Sequence, residues 1–131
     1  MADVTGPAEQ SHPTEIAAFL KEIEASGVEL IRHDRENLGY SPGLSPGKPG
    51  QLFISNGASY SAWCHEMQHM RDDRDAGWEG MRVMMDKKLC IERERRAYAV
   101  EIELARESGL ENIVKKLEEN FEKERRRLNG Y

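Results

Sequence analysis

Residues 65–69 read His-Glu-Met-Gln-His, a His-Glu-x-x-His run. On a helix, two histidines four positions apart are separated by ~6 Å of rise and only ~40° of rotation, so they share a face. Both imidazoles can then reach one metal ion. The intervening Glu66 is turned ~100° from His65, which suits a carboxylate addressing water rather than a further ligand. This residue set points to zinc-assisted hydrolysis of a peptide, with His65 and His69 as metal ligands and Glu66 as the general base. Coincidence on a charged surface helix is the competing account, so the third ligand decides how much the motif means.

A catalytic zinc ion takes three protein ligands and keeps a further position for water. Asp75, six residues after His69, is one candidate. That arrangement normally needs a glycine three residues after the second histidine to turn the chain, and Asp72 stands there instead. On a continuing helix Asp75 lies ~9 Å farther along the axis. The segment 92–101, Glu-Arg-Glu-Arg-Arg-Ala-Tyr-Ala-Val-Glu, offers a better solution. There Glu94, Ala97, Tyr98 and Glu101 fall on one helical face, whereas Glu92 is displaced by ~200° from Glu94. Ala97 would let two helices approach closely. Glu94 is therefore the predicted third ligand, and Glu101 the predicted outer partner of a histidine. A salt-bridged surface helix is the alternative reading of the same residues. Tyr98, one turn from Glu94, is a candidate donor to the oxyanion. Tyr40 and Tyr60 are rival candidates, and each tyrosine also fits a packing role.

The elements that must position these residues can be read around them. The 131 residues suffice for one domain and one core, here assigned to 14–131 with a loose tail over 1–13. Thr14 can cap a helix to about Ala25 with Ile16, Phe19, Leu20 and Ile23 on one face, ended by Gly27. Strands are expected at 28–32 and 51–55, separated by a Pro- and Gly-rich loop over 40–50. The second strand could pair with an extended peptide at a free sheet edge, an ordinary core strand being the alternative. A helix over 58–74, capped by Asn56 or Ser55, carries the histidines. Further helices follow over 86–107 and 110–128, the last burying Ile113, Val114, Leu117 and Phe121. The fold class is α+β, a small sheet with packed helices.

Composition narrows the function. A formal charge of −5 opposes general nucleic-acid binding. The basic run within 122–127 suits a solvated helix C-terminus, where cations complement the dipole. Neither a signal segment nor a bilayer span is apparent, so export would need another route or a larger parent protein. Cys64 and Cys90 form no disulfide framework or metal knuckle and suit a reducing compartment. Cys64 directly precedes His65 but is turned ~100° away from it.

The zinc motif followed by Glu94-x-x-Ala97 resembles the gluzincin-like ImmA/IrrE group, in which such a helix supplies the third ligand. A longer resemblance, over roughly 28–109, is to zincin-like metallopeptidase toxin domains of bacterial polymorphic toxin systems. It includes Gly39-Tyr40-Ser41-Pro42-Gly43, Pro46-Gly47-Lys48-Pro49-Gly50-Gln51, Ala58-Ser59-Tyr60-Ser61-Ala62, Asp72-Asp73, Ala76-Gly77-Trp78 and Glu94-Arg95-Arg96-Ala97-Tyr98. The resemblance implies a compact zincin-like domain and a Zn²⁺ endopeptidase acting on a protein or peptide. It also implies a cognate immunity protein and delivery from a producing bacterium into a target cell. The ImmA/IrrE likeness implies instead a cytoplasmic regulatory peptidase cleaving a repressor. A non-catalytic, zinc-stabilised binding module is the third possibility; it would have no use for Glu66 and would often use four protein ligands.

Overall fold

The computed structural model describes residues 6–35 and 37–129. It has the α+β architecture expected, with helices α1 (Ala8–Ser11), α2 (Pro13–Ser26), α3 (Tyr60–Asp75), α4 (Lys87–Glu107) and α5 (Glu111–Leu128). Strands β1 (Glu29–His33), β2 (Gly39–Ser41) and β3 (Gln51–Ser55) form one sheet in the order β1-β3-β2. β1 runs parallel to β3, with Glu29 opposite Gln51, and β2 runs antiparallel to it, with Tyr40 opposite Leu52. β3 is thus the central strand, paired on both sides. The expectation that 51–55 offers a free edge to a peptide is therefore corrected: the edges belong to β1 and β2.

Local chemistry accounts for the helix limits. Pro13 opens α2 with a preset φ, and Gly27 closes it in the left-handed region at φ 76°. The Ser59 hydroxyl caps α3 by accepting from the Ala62 amide, and the Asp86 carboxylate caps α4 by accepting from Leu89. The α3 cap is Ser59, not Asn56 or Ser55, because Ser55-Asn56-Gly57 is used to leave the strand.

The core lies between the sheet, α2 and α3. Leu52 and Ile54 point inward from alternate positions of β3, and Trp63, Met67 and Met70 follow the three-and-four spacing of α3. Phe19 stacks near Trp63, and the Arg32 guanidinium lies 5.2 Å above the Trp63 ring. With its apolar stripe spent on this core, α3 turns its other side toward α4. There the fully buried Ala97 lets the helices come close.

The loose tail expected over 1–13 is corrected from Gly6 onward; residues 1–5 lie outside the described ones. Pro7 bridges Ser59, the Ala8 amide donates to the Ala58 carbonyl at 2.9 Å, and Ala8 and His12 are buried. Two further elements lie where irregular chain was expected: β2, and a 3-10 turn at Met81–Met85. No helix among the described residues is long and apolar enough to cross a membrane.

Candidate metal centre

The residues singled out by spacing meet in space. His65 and His69 stand on one face of α3 with ring centroids 5.0 Å apart. Glu94 reaches both from α4: its Oε1 lies 2.7 Å from His69 Nε2 and its Oε2 lies 3.5 Å from His65 Nε2. One donor atom from each of the three residues falls within a mutual span of 4.8 Å. Tetrahedral zinc with ligands at its usual bond lengths separates them by about 3.3 Å. Small side-chain adjustments would bring these donors to that spacing.

The orientation of His65 is set from behind. Its Nδ1 lies 2.7 Å from Glu101 Oε2, and the other Glu101 oxygen accepts from the Ser61 hydroxyl at 2.7 Å. A carboxylate held on Nδ1 turns Nε2 toward Glu94, as metal-binding histidines require. This donor set fits a zinc ion: two imidazole nitrogens, one carboxylate, and a partner fixing one ring. Glu101 takes the outer position expected from its place on the face of Glu94.

The charged groups of the centre act strongly on one another. Burial works against a charged His65, but hydrogen bonds to Glu101 and Glu94 outweigh it and lift its pKa to about 10. Burial likewise works against ionised Glu94, yet hydrogen bonds from His65 and His69 hold its carboxyl down to about 2. A metal ion held by these groups would displace the protons that their pairing favours. Glu66 is one turn-step round from His65 and 8% exposed. Burial pushes its carboxyl above the usual range, with His65 and His69 opposing.

All four groups, His65, Glu66, His69 and Glu94, line one cavity of about 330 Å³. Tyr98 lines it too, its ring edge-on to His65 at 4.8 Å and tilted against Phe121. Burial, with the Glu94 and Glu101 charges, raises the Tyr98 pKa to about 12, so its hydroxyl keeps a proton to donate. The rival tyrosines are otherwise engaged. The Tyr40 hydroxyl donates to Asp73 at 2.6 Å and accepts from the Gly50 amide. Tyr60 stacks on His12 at 3.9 Å, away from the cavity lining.

The other metal-ligand candidates lie elsewhere. Asp75 is exposed and bonded to Arg74, and Glu92 is exposed and bonded to Arg95. Cys64 is buried and outside the donor group; burial, against a hydrogen bond with Tyr60, pushes its thiol up to about 11. The basic helix end pairs internally, Arg125 and Arg126 with Glu122 and Arg127 with Glu124.

Two supporting residues escaped the sequence reading. Ser61 braces Glu101, as above. Asp73 is fully buried, accepts from Tyr40 and from the Glu79 amide, and lies within 4.0 Å of Arg93. It joins β2, the 77–80 turn and α4 to the end of the histidine helix. Gly50 makes room for this join, because a Cβ there would fall 2.0 Å from the Ser41 carbonyl oxygen and 2.7 Å from the Tyr40 hydroxyl. Comparison with protein-family models, with curated proteins and with solved structures finds no match for this chain.

Proposed function

We propose that this chain is a zinc-dependent endopeptidase. The observation that carries the reading is the convergence of His65 Nε2, His69 Nε2 and the Glu94 carboxylate at a cavity that also holds the buried Glu66. When bound there, zinc would supply a Lewis acid for the scissile carbonyl and a water whose pKa is lowered toward ~7. The chain's own residues divide the remaining work. Glu66 accepts a proton from the attacking water and returns it to the leaving amine; its burial, which pushes its carboxyl above the usual range, makes it a stronger base than an exposed glutamate. Tyr98 donates its hydroxyl proton in a hydrogen bond to the carbonyl oxygen as charge develops there. Glu101, braced by Ser61, keeps His65 in the orientation that presents Nε2.

Glu66→Gln keeps the shape of the side chain but cannot accept that proton. Hydrolysis of a casein digest should fall by ~10²-fold or more while zinc content stays at the wild-type level. Undiminished hydrolysis by a folded, zinc-loaded Glu66→Gln would remove Glu66 as the base.

The biological setting we propose is that of a toxic effector domain from a bacterial polymorphic toxin, neutralised by a cognate immunity protein. Its support is the resemblance over 28–109. Expression in bacterial cells, with the compartment varied, should arrest growth for the wild type and spare it for Glu66→Gln. Equal toxicity of both would contradict a proteolytic toxin.

A further inference from the structure

We propose that the cavity selects peptides carrying a bulky apolar side chain, such as leucine or phenylalanine, beside the bond to be cut. The inference deepens the peptidase reading and rests on it for the word "cut"; the binding preference itself rests on the cavity alone. The aliphatic part of the cavity lining is Leu38, Pro42, Val83, Met84 and Leu128, beside the polar residues already described. Its volume of about 330 Å³ has room for one large side chain and the adjoining peptide unit.

The surface outside the cavity continues the same chemistry. Among the described residues, the exposed large apolar ones are Leu20, Leu38, Leu44, Met81, Met84 and Met85. All but Leu20 belong to two segments, 38–44 and 81–85. Those segments are neighbours: the Ser41 hydroxyl lies 4.0 Å from the Met81 sulfur, and a Cβ on Gly80 would touch the backbone of Ser45 and Pro46. Leu38 and Met84 line the cavity itself, so the two segments that carry this apolar exposure border the site, which marks a contact surface. Methionine suits such a surface because its unbranched thioether adapts to different apolar partners.

Charge points the same way. The two arginines on the cavity lining are already engaged, Arg93 with Glu79 at 2.5 Å and Arg127 with Glu124. An acidic side chain would find both lining arginines already paired. It would also lie beside Glu66 and Glu94. A leucine or phenylalanine would bury apolar surface against Leu38, Val83, Met84 and Leu128 at no electrostatic cost.

The test has two arms. In the first, zinc-loaded Glu66→Gln is titrated with fluorescent hexapeptides that differ at one central position, Leu, Phe, Gly, Asp or Lys. The Leu and Phe peptides should bind about 10-fold or more tightly than the Gly, Asp and Lys peptides. Adding Met84→Glu should abolish that preference, Met84→Ser should reduce it, and Leu20→Glu on α2 should leave it intact. In the second arm, wild type digests a denatured proteome and new termini are sequenced. Leu, Phe or a similar residue should be enriched next to the cut. Equal binding of all five peptides, no binding by any, or a preference unmoved by Met84→Glu overturns the inference. Cleavage without apolar enrichment overturns it while the peptidase reading stands. Apolar-selective binding with no cleavage by wild type sinks the peptidase reading and leaves the binding preference in place.

Discussion

Two polar clusters tie α3 to neighbouring helices, and they are built differently. On one side Glu22 of α2 receives Arg71 through Nε and Nη2 at 2.8 and 2.7 Å, and Arg74 at 2.9 Å. On the other, His65 and His69 meet Glu94 and Glu101 of α4. In the Glu22 cluster one carboxylate is shared by two fixed cations, and Arg74 is held further by Asp75 and Ser26. It has the form of a structural ion pair. The histidine cluster has two imidazoles whose inner nitrogens share a single carboxylate at the wall of a cavity. Its three potential ligand atoms gather within 4.8 Å of one another, a spacing that a metal ion could draw together. Counting charges would not separate the two; asking where the donor atoms point does.

Breaking each cluster should therefore have different consequences. Glu94→Ala should weaken zinc retention by more than ~10²-fold, measured by competition with a chromogenic chelator, because it removes a direct ligand. Glu22→Ala should leave zinc affinity unchanged. An Asp75→Ala chain that loses zinc while Glu94→Ala keeps it would reverse the ligand assignment.

The supporting carboxylate comes next in size. Glu101→Ala should cost about 10- to 100-fold in zinc affinity, with a smaller loss for Ser61→Ala, which frees Glu101 to turn. If both variants bind zinc as the wild type does, the Ser61–Glu101–His65 chain has no part in holding the metal. Zinc should also stabilise the fold, by ~2.7 kcal/mol at a free concentration a hundred times the dissociation constant. Thermal unfolding with zinc and with chelator should show this difference in wild type and in Glu22→Ala. The difference should vanish in Glu94→Ala.

The smallest effect belongs to the Glu22 cluster and concerns acid. Hydrogen bonds from Arg71, against partial burial and with help from Arg74, hold the Glu22 carboxyl below its ordinary value. A carboxyl depressed in the folded state contributes stability above its unfolded pKa and loses it as pH falls through the folded one. Denaturant unfolding between pH 6 and pH 3 should show Glu22 contributing up to ~1 kcal/mol at the upper end and less at the lower. Glu22→Gln should flatten that part of the profile; an unchanged profile would mean the pair adds nothing to stability.

The centre was legible in the sequence because it is a helix-face problem. The spacing of 65 and 69 and of 94 and 101 is enough to place donors on two facing helices. The same spacing would have found the supporting residues: Ser61, His65, His69 and Asp73 are four-residue steps along α3, and both outer members prove to be buried or half-buried partners of α4 and β2. What escaped depends on contacts between distant segments. β2 is three residues in a Pro- and Gly-rich stretch, and only pairing with β3 makes it a strand. The central position of β3 follows from that same pairing. Ala8 and His12 carry no periodic signal; they are buried because the chain before α2 lies against Ala58, Ser59 and Tyr60.

The central claim is that His65, His69 and Glu94 hold one zinc ion. It is tested most directly by elemental analysis of the purified chain after zinc loading and gel filtration, wild type beside His65→Ala and Glu94→Ala, with circular dichroism to confirm that each is folded. One zinc per wild-type chain, and a small fraction of that in each folded variant, is the expected result. A wild-type chain that emerges without zinc, or folded variants that retain it in full, would contradict the account.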